Sequence, residues 1–343
     1  MSARNGSPVS VVQPDMTPLR HSNLLLGITC LFFAACAKNV DKPSALATGT
    51  HVYIAGDDGN SPILWTDEAE QVLSPSKGSA GQVVKSGDDV YVAGVCGESG
   101  SLNPGGPGGV YAYWKNGRQT DMGDTVLLHM QSSIAIAGGS LYFSNGSVWL
   151  NGASGTLPEQ GTYGQVRELF AAGNDIYAVG NDNSNNVVYW KNGQPITVEK
   201  GDPNTSYPLA DCIYVSGGDV YVGGFDAAGK PAYWKNGVVT ELQPSDPGTL
   251  VSQAISIFVH GSDVYVVGNY YSPATYLQPA YFKNGVQQNL PLNGAKFGRA
   301  NDIFVSDSTV YVVGSTADGA VYWKNGVETV LSPVGSAWSV VVQ

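Results

Sequence analysis

The sequence predicts an all-β fold, a seven-bladed β-propeller of four-stranded blades with blade one closed by the C-terminal strand. Three observations predict it: one segment recurs seven times, each copy reads as four short strands, and the copies are cyclically shifted. A single blade cannot bury both faces of its sheet, so tandem copies must stack.

The repeat begins with an apolar strand carrying Tyr53, Tyr91, Tyr142, Tyr177, Tyr221, Tyr265 or Tyr311. A second strand follows with Trp65, Trp114, Trp149, Trp190, Trp234, Phe282 or Trp323. Eight residues after each aromatic comes an apolar residue: Leu73, Met122, Leu157, Val198, Leu242, Leu290 or Leu331. The sixth copy shows the full unit. Ser256 to Val259 is strand a, Val264 to Gly268 strand b, Pro279 to Lys283 strand c, and Val286 to Leu290 strand d. Between c and d lies Asn284-Gly285, the pair that tolerates the positive φ of a type I′ hairpin. Five copies carry Lys-Asn-Gly there; the third has Leu150-Asn151-Gly152, and the first has Asp67-Glu68. The repeated Tyr and Trp read as packing between blades. The first copy starts at strand b, His51-Val52-Tyr53-Ile54, while Ser339-Val340-Val341-Val342 is a strand a without a copy of its own. Pairing these two ends removes the open sheet edge.

Composition agrees. Only 13% of the 343 residues are charged, against 44 glycines and 19 tyrosines. The net charge of −11 argues against an electrostatic nucleic-acid binder. Ahead of the repeats, Arg20 and His21 precede an apolar run from Leu24 to Ala35, too short to span a bilayer but suited to a signal peptide. Phe33-Ala34-Ala35-Cys36 resembles a lipobox, which implies cleavage before Cys36 and its lipidation. Met16 offers a start that leaves a signal of ordinary length. The expected organisation is therefore a signal peptide over 1–35, a lipidated tether over 36–48 and the propeller over 49–343. This places the chain in the bacterial cell envelope, periplasmic or cell-surface, with the membrane as one partner through the anchor. Cys96 and Cys212 fall in different repeats and are expected as free thiols.

Copies such as Tyr111-Ala112-Tyr113-Trp114-Lys115-Asn116-Gly117 and Pro231-Ala232-Tyr233-Trp234-Lys235-Asn236-Gly237 resemble the HAF-type extracellular repeats of bacterial proteins. The resemblance covers residues 51–343 and departs at the His before the Ala, which no copy keeps. It implies a propeller and export, and no chemistry.

Loop lengths point to one face. From strand a to strand b the spacing is nine in Glu168 to Tyr177, Ser256 to Tyr265 and Asp302 to Tyr311. From the strand-b Tyr to the strand-c aromatic it ranges from 7 to 23. The b–c and d–a loops emerge on the same side, so binding is expected there. Unrepeated aromatics on that side are the candidate ligand contacts: Trp338, Tyr163, Tyr207, Phe297, Tyr270, Tyr271 and Tyr276. At the start of strand a the repeat reads Gln82, Ser133, Glu168, Cys212, Ser256, Asp302 and Ser339. Arg167, Glu168, Asp211, Asn301 and Asp302 are the candidate polar groups of the channel mouth. The histidines His51, His129 and His260 sit in different copies, which disfavours a triad or a His-metal site. No cofactor or metal site is expected. The favoured function is non-enzymatic binding of a glycan or protein by a monomer. The alternative is a carbohydrate-active enzyme using the mouth carboxylates, which would need two of them about 5–10 Å apart.

Overall fold

The computed structural model describes residues 49–97, 109–125, 132–145, 148–150, 153–154, 166–201, 208–245, 250–251, 253–272 and 275–343. The expected signal segment, Cys36 and the expected tether lie outside the described residues, as do Tyr163, Tyr207, His129 and Leu157.

Every repeat folds as an antiparallel meander, the arrangement of a propeller blade. Among the described residues there are seven four-stranded sheets and one three-stranded sheet. In blade four the strands are Val166–Ala172, Asp175–Asn181, Val187–Lys191 and Gln194–Glu199, in that order across the sheet. Blade one takes its strand a from the chain end: Ser336–Val342 pairs antiparallel with Val52–Asp57, matching Val52 with Val342 and Ile54 with Val340. His51 and Gln343 exchange backbone bonds of 2.7 and 3.0 Å. The a strands of successive blades pack side by side, and the strand from the chain end lies between those of blades seven and two.

The Lys-Asn-Gly signature has a local cause. Asn116, Asn192, Asn236, Asn284 and Asn325 adopt φ of 48° to 51°, and the glycines after them 77° to 84°. That is the left-handed pair of a type I′ turn. The asparagine side chain also braces strand b: Asn236 Oδ1 accepts from Val220 N at 2.9 Å while its Nδ2 donates to Asp219 at 2.8 Å. Lys235 reaches the same Asp219 at 2.8 Å and lies 5.3 Å over the Tyr221 ring, directly across the ladder. The set recurs in blades two, four and six. Blade one has Thr66 opposite Tyr53, and Lys85 of blade two supplies the cation instead.

The core lies between blades. Trp65, Trp114, Trp234, Trp323 and Phe282 are all but completely buried. Trp114 packs on Tyr53 and Leu73 of blade one, Phe282 on Tyr221 and Leu242 of blade five, and Trp323 on Tyr265 and Leu290 of blade six. Trp65 meets Tyr311 and Leu331 of blade seven, so the packing continues across the chain ends. The fixed interval of eight therefore presents the apolar residue after strand c to the next blade's Trp or Phe in blades one, four, five, six and seven.

One connection departs from the expected loop. Tyr270–Ser272 and Thr275–Gln278, within the b–c connection of blade six, are strands that pair with each other, and Tyr270–Ser272 also pairs with Leu250–Val251. Their aromatic and β-branched residues favour extended backbone, and this connection is long enough to fold back.

Candidate functional site at the ring axis

Five of the seven inner strands enter the ring through the same device. Register shifts between Ala80 and Gln82, Val166 and Glu168, Ala210 and Cys212, and Ala300 and Asp302 leave one extra residue on the inner strand. A fifth shift, opposite Ala55 and Gly56, leaves Trp338 extra. A β-bulge re-aims its side chain. Here the bulged residues Gly81, Arg167, Asp211, Asn301 and Trp338 line a mouth of about 70 Å³ with Ser132 and Ile255. Strand b must approach closely at the bulge: a Cβ on Gly224 or Gly314 would meet the carbonyl oxygen of Leu209 or Arg299 at 1.7 or 1.8 Å.

Below the mouth, the residues at the start of strand a form a belt of bonds from blade to blade. Ser339 Oγ accepts from Val83 N at 3.2 Å, and Gln82 Oε1 from Ile134 N at 2.6 Å. Ser133 Oγ accepts from Leu169 N and Glu168 Oε2 from Ile213 N, at 2.9 and 2.8 Å. Ser256 Oγ donates to Asp302 Oδ1 at 2.5 Å, and Asp302 Oδ2 accepts from Val340 N at 2.9 Å. Cys212 stands at this position in blade five, its sulfur 3.9 Å from Ala254 O. The polar residues of this column thus latch neighbouring inner strands.

The belt holds its acids against their charge. Removal from bulk water, reinforced by Asp302 and Asp211, pushes the Glu168 carboxyl up to about 8, although the Ile213 N–H opposes the shift. Asp302 is also raised by burial, against its hydrogen bonds from Ser256, Val340 and Ile303. Asp211 is raised by burial too; Gln253 donates to it at 2.6 Å, and Arg167 lies 3.7 Å away.

The axis therefore gathers the five polar residues singled out in the sequence, together with Trp338, in one mouth. Trp338 is half-buried, and its Nε1 donates to Asp57 Oδ2 at 2.9 Å. Asn301 is buried, and its Nδ2 donates to Ala337 O at 2.8 Å. Phe297, Tyr271 and Tyr276 are exposed, and neither they nor Tyr270 line the mouth. The three tyrosines belong to the three-stranded sheet.

Sequence reasoning missed the clamps on the bulges. Asn181 Nδ2 donates to Pro208 O while its Oδ1 accepts from Ala210 N, at 2.7 and 3.3 Å. Asn269 makes the same pair with Ala300, at 3.0 and 2.8 Å. Asp57 holds Ser79 at 3.0 Å as well as Trp338. All three stand four residues after the strand-b Tyr, a column in which Asp57, Asn181 and Asn269 were a legible signal.

No protein-family model matches the chain, and no curated protein does. Solved structures share the arrangement at low identity. A puromycin-hydrolysing peptidase of Mycobacterium tuberculosis is similar at TM-score 0.47 and 10% identity, over 82% of this chain and 50% of that one. TolB of Acinetobacter baumannii gives 0.43 and 11%, over 84% and 65%. An α-L-arabinofuranosidase of Clostridium thermocellum gives 0.37 and 11%, over 76% and 95%. The chain spans half the length of the first and 65% of the second. The fold itself rests on the strand registers above.

Proposed function

We propose that this chain is a lipid-anchored, seven-bladed propeller with HAF-type repeats, working outside the bacterial cytoplasm as a binding or scaffold module for a glycan or protein. The observation that carries the reading is the mouth: the position just before the belt holds seven different residue types, five of them on bulges, where the surrounding scaffold repeats. A ring built only for its own stability would reuse one side chain there. Trp338, held by Asp57, and the Arg167–Asp211 pair line the same mouth from different blades. Aromatic faces next to charged groups suit a sugar ring or a peptide anchor. The belt carboxylates already accept backbone and hydroxyl donors, which favours binding over acid–base chemistry.

A glycan array with purified protein tests the reading. A hit whose affinity falls by about 2 kcal/mol or more in Trp338→Ala, at unchanged melting temperature, supports it. Loss of stability with affinity retained removes Trp338 from the site. For the anchor, Cys36→Ser should abolish palmitate labelling and membrane fractionation; unchanged labelling rejects lipidation there. One observation favours the enzyme reading as second choice: a carboxyl held up to about 8, as on Glu168, is what a general acid requires. Product analysis on any bound glycan, with Glu168→Gln as control, separates the two.

A further inference from the structure

A space larger than the mouth lies on the other side of the belt. It runs from Gln82, Glu168, Ser256 and Asp302 toward the a–b turns at Lys85 and Ala171, with a volume of about 260 Å³. Its wall breaks the symmetry of the repeat. Two residues beyond the belt, four consecutive blades carry Phe170, Tyr214, Phe258 and Phe304, while the other three carry Val341, Val84 and Ala135. The four rings touch in sequence, with centroids 4.9, 4.8 and 4.5 Å apart and planes tilted by 48° to 54°. An arc of rings, Phe258 buried among them, thus lines one side of an open chamber and a small aliphatic wall the other, with Glu168 and Asp302 at its inner end.

No cation inside the chamber answers these acids among the described residues. Lys85, at the lip, sends its Nζ to Asp88 O at 3.2 Å and over the Tyr53 ring. Arg167 belongs to the mouth and faces Asp211. Ring faces attract cations through their quadrupole, and a neighbouring carboxylate adds to that attraction. We propose that the chamber binds a small organic cation, a quaternary ammonium group or its like, seated on the Phe170–Phe304 arc with its charge toward Glu168 and Asp302. Desolvation, with Asp211 and Asp302 facing it, keeps the Glu168 carboxyl protonated near neutrality, and a seated cation would favour its ionised form.

Calorimetric titration of the purified chain with choline, and with its neutral isostere 3,3-dimethyl-1-butanol, tests this. Choline should bind with a dissociation constant of roughly 1 mM or tighter, and the isostere at least about tenfold more weakly. Phe258→Leu keeps an apolar side chain and should weaken choline about tenfold. Phe304→Leu should do the same and serves if Phe258→Leu does not fold. Absence of choline binding, equal binding of the neutral isostere, or full affinity in a folded leucine variant overturns the proposal. These outcomes do not touch the mouth, which lies across the belt and has its own test at Trp338.

Discussion

Deleting residues 337–343 would remove the strand that joins the chain ends, and the structure sets the scale of the loss. Val340 and Val342 are 4% and 6% exposed, while Val341 on the other face is only half-buried. Two buried valines are worth roughly 1.5–3 kcal/mol each, or ~3–6 kcal/mol together. The deletion also removes Ser339 Oγ from Val83 N, the Val340 N–H from Asp302, and the ladder that pairs Val52–Asp57. Against a typical net stability of about 5–15 kcal/mol this is a large fraction. With an unfolding entropy of roughly 2 cal/mol/K per residue over this ring, the melting temperature should fall by about 5–10 °C. The exposed edge of strand b should also drive association. Circular dichroism melts and size-exclusion chromatography read both effects. A monomeric truncated chain melting within about 2 °C of the parent would refute the reasoning.

Glu168→Gln should flatten the pH dependence of stability. A carboxyl raised from 4.5 to about 8 binds its proton more tightly folded than unfolded, so this group's contribution to stability is full below about pH 4.5 and is lost as pH rises through about 8. The full shift corresponds to ~5 kcal/mol; with channel water screening the charge, on the order of 2 kcal/mol should separate the two proteins at pH 9 relative to pH 5. Parallel melting curves across that range would contradict it. Asn236→Ala should cost about 2 kcal/mol, through two lost hydrogen bonds and an alanine at a φ of 49°. An unchanged melt would show that the turn does not depend on this side chain.

The fold was readable because its determinants repeat. The strand-c aromatic and the apolar residue eight positions on recur in every copy, Lys-Asn-Gly follows the aromatic in five, a Tyr marks every strand b, and the orphan valine strand at the chain end signalled its partner at His51 to Ile54. The mouth was half readable. Position alone placed Arg167, Glu168, Asp211, Asn301, Asp302 and Trp338 together, but not what each touches. Asn301 lines the mouth and also holds Ala337 O. Glu168 and Asp302, expected as channel-mouth polars, line the mouth and also latch Ile213 and Val340. Such bonds depend on the stagger between blades, which one strand's sequence does not encode. Tyr270, Tyr271 and Tyr276 fall outside the mouth because their connection folds into a sheet of its own. The aromatic arc escaped notice because Phe170, Tyr214, Phe258 and Phe304 sit in a column that core packing alone would explain.

Both axial spaces exist only if the ring is closed by the chain end, and hydrogen–deuterium exchange on the intact protein measures that closure directly. Amides of Ser336–Val342 that bond to Val52–Asp57 should exchange as slowly as those of the central strand Asp219–Phe225. Exchange of Ser336–Val342 at the rate of a frayed terminus, while the other inner strands stay protected, would contradict the closed ring.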